Sequence, residues 1–248
     1  MEFIRVTKEN LEKEHICCAI SGAEAQSKKA WMQSRFDEGL VFLKGNVRGK
    51  CFIEFIPAEY AWAPIRADGY MYINCLWVSG QLKGHGYSNS LLEQCIEISK
   101  EEGKKGLVIL SSGKKKGFLA DSKYLEYKGF QICDTASPYF QMMVLLFENG
   151  VEMPTFREQV KQRIPDAKGF TMYYTNQCPF TAKYVPILEE MSKARNVPLE
   201  IIHLENAEQA QNSYSPFSTF SLYHDGEFVT HEILSEKKFE KLLQEKNY

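Results

Sequence analysis

The sequence predicts an α/β (α+β) fold in two parts, a larger unit of strands and helices and a smaller α/β unit after it. Strand-like apolar runs alternate with segments of helical periodicity along the chain. A polar, proline-containing stretch interrupts this pattern, and the 248 residues are enough for two ordinary domains. We therefore predict a first domain over residues 1–148, a connector over 149–167 and a second domain over 168–248.

The elements of the first part follow in order from their periodicity. Short apolar or alternating runs predict strands, and apolar residues three and four apart predict helices. The expected elements are a strand at 3–6, a helix at 22–36, a hairpin of strands at 39–43 and 51–56, a strand at 70–78, a helix from about 90, a strand at 106–110, a short helix within 121–130 and strands near 131–133 and 140–147. The apolar strand at 106–110, which follows a helix, indicates a crossover connection.

The most informative stretch is the turn between the strand that ends at Val78 and the helix that follows. Gly84 and Gly86 lack a Cβ, so the backbone can adopt left-handed angles and a phosphate can approach successive N–H groups. The first N–H groups of a helix have no partner within it, and the helix dipole adds positive charge there. We therefore expect an anion to bind at this turn. The glycines equally fit an ordinary loop, and they form neither a dinucleotide fingerprint nor a P-loop.

Two motifs in this part resemble those of a known enzyme family. The spacing Gln81-x-x-Gly84-x-Gly86 resembles the Arg/Gln-x-x-Gly-x-Gly/Ala signature of GNAT acyltransferases. Residues 124–130 look like the family's Phe-Tyr-x-x-x-Gly-Phe element, at the right distance from the turn. The resemblance covers residues 1 to about 148. It implies the GNAT fold, with a mixed, mostly antiparallel sheet. It also implies an N-acetyltransferase that uses acetyl-CoA as cosubstrate and an amine of a small molecule or peptide as acceptor.

The resemblance also implies a binding site for acetyl-CoA. In GNAT enzymes this turn holds the pyrophosphate, and the pantetheine pairs with the strand before the turn, which is splayed from the next strand. Here these would be the segment 76–78 and the strand at 106–110. The implied cofactor-binding residues are Leu76, Trp77, Val78, Gln81, Leu82, Lys83, Gly84, His85, Gly86, Tyr87 and Ser88.

The position of the family's general-acid tyrosine is occupied differently in this chain. Counting back from Gly129, that position holds Leu125, with Tyr124 and Tyr127 on either side. Either tyrosine is a candidate acid, although a tyrosine at a helix end is more often a packing residue. Phe118 replaces an asparagine that many relatives have. Proximity alone supplies much of the rate enhancement in such transfers, so a missing acid does not exclude activity.

Acyl transfer to an amine also needs a group that removes a proton from the amine. The candidates are Glu54, Tyr72 and Asn74, the last by way of a water molecule. Alternation along the strand predicts that the even-numbered residues of 72–76 share one face and the odd-numbered residues of 73–77 share the other. Glu54 equally fits an exposed charge on a strand.

The second part begins after residues 155–163, which are predicted as an amphipathic helix. Its expected order of strand, helix, strand, then strand, strand, helix resembles the thioredoxin fold, with Cys178 at the active-site turn. A thiol at a helix N-terminus is partly stabilised as thiolate. Thr181 replaces the second cysteine, which excludes dithiol exchange within this turn and leaves monothiol chemistry or an unreactive remnant. A GNAT domain with such a tail resembles the YoaP-like acetyltransferases of bacteria.

Composition and charge exclude several functional classes. The net charge of -2 gives no reason to expect a nucleic-acid surface. The start of the chain lacks the apolar core of a signal peptide, and no apolar run is long enough to cross a bilayer. The seven cysteines are scattered without a C-x-x-C pair, which suits a reducing compartment and argues against a disulfide framework or a zinc site. We expect a cytoplasmic protein without nucleic-acid or membrane partners; a homodimer remains open.

These observations leave three functional hypotheses. The leading one is transfer of an acetyl group from acetyl-CoA to an amine. The first alternative is a thiol or redox protein that uses Cys178. The second is a non-catalytic acyl-CoA sensor, which Leu125 at the acid position favours.

Overall fold

The computed structural model describes every residue of the chain except 17 and 20. The strands are β1 (Phe3–Val6), β2 (Val41–Gly45), β3 (Cys51–Pro57), β4 (Ile65–Arg66), β5 (Met71–Val78), β6 (Gly106–Ser112), β7 (Ala120–Asp121), β8 (Gln131–Ala136), β9 (Phe140–Leu146), β10 (Thr155–Phe156), β11 (Phe170–Tyr174), β12 (Leu199–His203), β13 (Phe220–His224) and β14 (Glu227–Thr230). The α-helices are α1 (Ala23–Arg35), α2 (Tyr87–Glu101), α3 (Ser122–Tyr127), α4 (Pro179–Ala194), α5 (Ala207–Gln211) and α6 (Glu236–Glu245).

The larger sheet has the strand order β1-β2-β3-β5-β6-β9-β8, with β7 paired to β6. The pairs β5–β6 and β6–β7 are parallel, and the other pairs are antiparallel. Helices α2 and α3 bury apolar side chains such as Leu91 and Leu125 on one face of the sheet. Helix α1 buries Trp31 and Met32 on the other face. The predicted mixed, mostly antiparallel sheet with a helical crossover is confirmed.

Strands β5 and β6 separate after a short paired segment. Among the residues that the structure describes, they pair only where Met71–Ile73 meets Leu107–Ile109, and the remainder of β5 has no strand partner on that side. The backbone groups on the open edge of a parallel pair are free to bond a ligand. The sheet is therefore splayed at the position that the sequence motif implies.

A β-bulge in β5 changes the faces to which its side chains point. The register between β3 and β5 shifts next to Glu54, and Asn74 lies at the irregularity. Tyr72 packs in one core with Cys75 and Trp77, whereas the residues at positions 73 and 76 pack in the other. The predicted strict alternation is therefore wrong beyond Asn74, because a bulge inserts an extra residue and exchanges the faces of all residues after it.

The smaller sheet has the order β12-β11-β13-β14. Strands β11 and β12 are parallel and connected through α4, and the other two pairs are antiparallel. Its core contains Phe170, Leu188, Phe220 and Phe239, each fully buried. This is the predicted order of strand, helix, strand, then strand, strand, helix, with the short α5 added. The likeness to thioredoxin stays a prediction.

The predicted helix at 155–163 is wrong. Strand β10 pairs with β4, and a single 3-10 turn (Glu158–Lys161) follows it. The N–H of Phe156 donates to the Asp134 carboxylate over 2.8 Å, and the Phe156 ring is fully buried in the core of the larger sheet. The segment is therefore attached to the first part by strand pairing rather than acting as a loose spacer.

The two parts also contact each other directly. Helix α1 packs against α4, the Ser218 hydroxyl donates to the carbonyl oxygen of Trp62, and the Gln211 amide donates to the carbonyl oxygens of Glu59 and Ala61 at 3.0 and 3.1 Å. In the described part of the chain, no helix combines the length and apolar character needed to cross a bilayer.

Candidate functional site

The glycine turn has the conformation that its sequence predicts. Gly84 and Gly86 have φ of 81° and 77°, which is the left-handed region that favours glycine. Gly86 is the N-cap residue of α2. A Cβ added at either glycine would meet no protein atom within 4 Å, so the space above the turn is open. Glycine is therefore needed here for backbone angle and for close approach of a ligand, rather than for packing.

The backbone of this turn presents a series of unused donors. Among the residues that the structure describes, no acceptor is bonded to the N–H groups of 84–88. Gln81, Lys83 and His85 are exposed around them, and the His85 ring stacks on Tyr87 with centroids 5.6 Å apart. Successive free N–H groups at a helix N-terminus form an anion-binding arrangement. The turn is therefore able to bind a diphosphate.

A cavity of about 360 Å³ opens at the splayed strands. One wall is formed by residues 72–77 of β5, and the facing wall by Ile109 and Leu110 of β6 with the segment 117–120. The second part of the chain completes the lining with residues 177–180, Phe217 and Thr219. The cavity therefore adjoins the splayed edge and belongs to both parts of the protein. Of the predicted cofactor residues, Leu76 and Trp77 line it, whereas Val78 does not.

A buried charge cluster lies in this cavity. Glu54 is only 2% exposed, and one of its carboxylate oxygens accepts a hydrogen bond from the ammonium of Lys28. The other oxygen accepts a hydrogen bond of 3.0 Å from the Asn74 amide. The Lys28 ammonium also lies over the Trp31 ring, 4.2 Å from its centroid. The interpretation of Glu54 as an exposed strand charge is therefore wrong.

Lys28 was not among the residues predicted from the sequence. Its signal was present, because Lys28 lies three residues after Ala25 and four before Met32, which are both buried, so it occupies the apolar face of α1. A lysine on such a face needs a buried partner. The partner is 26 residues away on β3, and helix periodicity alone does not identify it.

The candidate tyrosines are not brought together. Tyr72 is buried and lines the cavity, and burial raises the pKa of its hydroxyl. Tyr124 is outside the lining; its hydroxyl donates to the Asn89 side chain over 3.3 Å, and burial, followed by the Glu93 charge, raises its pKa to about 12. The Tyr127 side chain is 79% exposed. The structure therefore places neither Tyr124 nor Tyr127 beside Glu54, and Leu125 between them is fully buried.

Cys178 lines the cavity at the N-terminus of α4, but it does not have the predicted thiolate character. Burial raises its pKa to about 11, although the Phe180 N–H and the Lys28 charge act in the opposite direction. Thr181 is fully buried, and its hydroxyl lies 2.6 Å from the carbonyl oxygens of both Thr175 and Cys178. Desolvation outweighs the helix terminus here, so Cys178 is a protonated thiol near neutral pH.

Residues of the second part of the chain also form hydrogen bonds with the loop that precedes β7. The Gly117 N–H donates to the Glu232 carboxylate over 3.2 Å, and the Gly117 carbonyl oxygen lies 2.7 Å from His231 Nε2. Because a carbonyl only accepts, Nε2 carries the proton and Nδ1 accepts from the Tyr139 hydroxyl at 2.7 Å. The next residue, Phe118, has the left-handed φ of 64° that non-glycine residues rarely adopt. Contacts from the second part therefore fix one wall of the cavity.

Within residues 1–16, 18–19 and 21–248, no three histidine, cysteine, aspartate or glutamate side chains are grouped so that they could hold a metal ion.

The mixed sheet splayed at one parallel pair, with a glycine turn leading from the splayed strand into a helix, is the arrangement of a GNAT acyltransferase.

Comparison with known proteins agrees with this class. The family described as YoaP-like matches residues 198–241. The chain is 44% identical over 247 residues to the uncharacterized N-acetyltransferase YoaP of Bacillus subtilis (strain 168), with 98% of each chain covered. The chain therefore belongs to the YoaP family of N-acetyltransferases.

Several solved structures are similar to about three fifths of the chain. A ribosomal-protein-alanine N-acetyltransferase from Brucella melitensis is 13% identical, covers 59% of this chain and 100% of its own, and has a TM-score of 0.44. The acetyltransferase YncA from Salmonella typhimurium, solved with its cofactor acetyl-CoA, is 13% identical, covers 61% of this chain and 96% of its own, and has a TM-score of 0.43.

Proposed function

We propose that this protein transfers the acetyl group of acetyl-CoA to the amine of a small acceptor held in the cavity. The observation that carries the proposal is the buried Glu54 carboxylate, which lines the cavity next to the splayed strands. Acetyl-CoA supplies the thioester. A carboxylate beside that thioester can accept the proton that the attacking amine must lose.

Two features support binding of acetyl-CoA, namely the glycine turn and the open edge of β5. The N–H groups of residues 84–88 suit the diphosphate of CoA, and the side chains of Gln81, Lys83 and His85 border that position. The unpaired edge of β5 beyond Ile73 suits the amide groups of an extended pantetheine, which need backbone partners. Both features lead toward the cavity that contains Glu54.

In the proposed reaction, Glu54 acts as the general base. The acceptor ammonium passes a proton to the Glu54 carboxylate, and the neutral nitrogen then forms a bond to the acetyl carbon as the carbon–sulfur bond breaks. The CoA sulfur leaves as a thiolate and takes up the second proton, which the nitrogen loses as it becomes the amide. Lys28 and Asn74 each occupy one carboxylate oxygen and fix its orientation, and each oxygen keeps a second lone pair for the amine proton.

Tyr72 is better suited to donate a proton than to remove one. Because burial raises its pKa, the hydroxyl keeps its proton near neutral pH. Tyr72 lines the cavity, whereas Tyr124 and Tyr127 do not. We therefore assign Tyr72 the task of stabilising the leaving thiolate in place of the tyrosine that Leu125 replaces.

The proposal is tested by combining binding and turnover measurements. Calorimetric titration of acetyl-CoA should show binding, and a free-thiol assay with a panel of small amines should show CoA release. Glu54→Gln should slow release by roughly 10²- to 10⁴-fold and leave acetyl-CoA affinity unchanged. Binding without release for every amine would instead favour the acyl-CoA sensor. The redox alternative is disfavoured by the raised pKa of Cys178.

We further propose that the first domain comprises residues 1–148, the connector 149–167 and the second domain 168–248, which agrees with the separate sheets.

The scattered cysteines support a cytoplasmic location. A homodimer is not required for the proposed reaction, because every residue used in it belongs to one chain.

A further inference from the structure

The acceptor side of the cavity has an aromatic lining to which both parts of the chain contribute. Phe52 and Tyr72 come from the larger sheet, and Phe180 and Phe217 come from the second part. Phe52 and Tyr72 are buried, and the Phe180 and Phe217 rings are partly buried. Aromatic walls of this kind bind planar apolar groups through burial and ring contacts.

The positive and negative side chains that line the cavity form an ion pair with each other. Lys28 and Glu54 are the charged side chains among the described residues that line the cavity, and they are paired. Lys50 is outside the lining, with its ammonium 4.3 Å from the centroid of the Trp77 ring and 5.9 Å from that of the Phe180 ring, so it lies behind the aromatic wall. A carboxylate on the carbon next to the amine would lie beside the Glu54–Lys28 pair and find no unpaired cation in the lining, and a second ammonium would find no unpaired carboxylate there. Burying such a charge without a partner is strongly unfavourable.

The size of the cavity limits the acceptor further. Its volume of about 360 Å³ is at the low end for small-molecule sites, and part of it is needed for the acetyl group and the end of the pantetheine. The remaining space suits a molecule of one ring and a short chain. It does not suit a folded peptide or a large polycation.

From these observations, and resting on the proposed acetyl transfer, we propose that the natural acceptor is a small primary monoamine with an aromatic or similarly apolar body and no second charge. Its nitrogen binds at Glu54 and Asn74, and its ring lies against Phe180 and Phe217.

The test compares probes that differ in one group each. 2-Phenylethylamine has the proposed chemistry, phenylalanine adds a carboxylate to the same body, and butane-1,4-diamine replaces the ring by a second ammonium. We expect kcat/KM for 2-phenylethylamine to exceed that of the other two by about 100-fold or more. Calorimetry with the CoA-bound protein should show binding of 2-phenylethylamine and none of phenylalanine.

Variants of the aromatic wall provide an independent measurement. Phe180→Ala and Phe217→Ala should each raise KM for 2-phenylethylamine by about tenfold, because each removes an apolar contact with the ring. They should leave kcat and the affinity for acetyl-CoA unchanged. The matched control is Ile132→Ala, which truncates a 45% exposed side chain of β8 outside the cavity and should change neither constant.

The outcomes separate this inference from the function on which it rests. Equal or better turnover of phenylalanine or butane-1,4-diamine would overturn the acceptor class and leave acetyl transfer intact. An unchanged KM for 2-phenylethylamine in both Phe180→Ala and Phe217→Ala would also overturn the acceptor class. No turnover of any amine by a protein that binds acetyl-CoA would overturn the proposed function itself.

Discussion

The glycine turn and the buried charge cluster in the cavity are built in contrasting ways. The turn at residues 81–88 is exposed and contiguous in sequence, and it offers backbone N–H groups. The cluster of Lys28, Glu54 and Asn74 is buried, comes from three separate elements, and offers side-chain charges. A site made of backbone tolerates changes in the side chains around it as long as the φ angles are kept. A site made of buried charges depends on each member, because removal of one leaves another without a partner.

The strongest test of this contrast is Glu54→Gln. We expect kcat to fall by roughly 10²- to 10⁴-fold, because the base is lost, and the free energy of unfolding to fall by about 3–5 kcal/mol, because the Lys28 ammonium is left buried without an anion. Acetyl-CoA affinity should be unchanged. Steady-state kinetics, urea denaturation and calorimetry measure the three effects.

The double variant Lys28→Met/Glu54→Gln separates folding from chemistry. It removes both buried charges, so stability should recover while kcat stays low. Recovery of kcat in the double variant would exclude Glu54 as the base.

The glycine turn is tested by Gly84→Ala and Gly86→Ala. Both residues have positive φ, and a Cβ there would project into the space that the diphosphate needs. We expect about 10- to 100-fold weaker acetyl-CoA binding and a loss of roughly 1–2 kcal/mol of stability from the backbone angle. Gly103→Ala is a matched control, because Gly103 also has a positive φ with open space around it but lies beyond the C-terminal end of α2. It should show the stability loss alone; weakened binding in this control would mean that the effect is indirect.

The contact between the two parts is tested by His231→Ala. This variant leaves the Tyr139 hydroxyl and the Gly117 carbonyl without partners, and we expect a loss of about 1–3 kcal/mol at pH 7.5. Kinetics should show a higher KM for the acceptor, because the loop that carries Phe118 forms part of the cavity wall.

The same variant should show a defined pH dependence. Burial lowers the pKa of His231 below its usual value of 6.5, so the unfolded chain binds the proton more readily than the folded protein. The stabilisation is therefore complete above about pH 6.5 and declines as pH falls below that value toward the folded-state pKa. Denaturation at pH 7.5, 6.5 and 5.5 should show the difference between the unmodified protein and His231→Ala becoming smaller. A difference that grows at low pH would contradict the burial of a neutral imidazole.

The smallest effect is expected for Cys178→Ala. With its pKa raised to about 11, Cys178 is a thiol near neutral pH and packs as an apolar group. We expect turnover within about threefold of the unmodified protein and slow labelling of Cys178 by iodoacetamide at pH 6. Rapid selective labelling or complete loss of turnover would restore the thiol hypothesis.

The sequence was sufficient for the turn and the sheet but not for the buried cluster. Gly84 and Gly86 were identifiable because their constraint is local, and the splay followed from the family resemblance. Lys28 was missed because its partner lies on another element, and the orientation of residues beyond Asn74 was wrong because a bulge leaves no mark in an alternating pattern. The thiolate expectation for Cys178 failed because burial is set by tertiary packing, which the helix N-terminus alone does not reveal.

Because both parts of the chain line the cavity, the two parts are expected to be constrained together during evolution. A substitution that widens the wall at Phe180 changes the same space as one at Phe52, although they are 128 positions apart (180 minus 52). Exchange of either half for that of a distant relative would therefore alter the shape of the shared cavity. Recombination within this family should preserve the two halves as one inherited unit, and changes on the two sides of the cavity should occur in pairs.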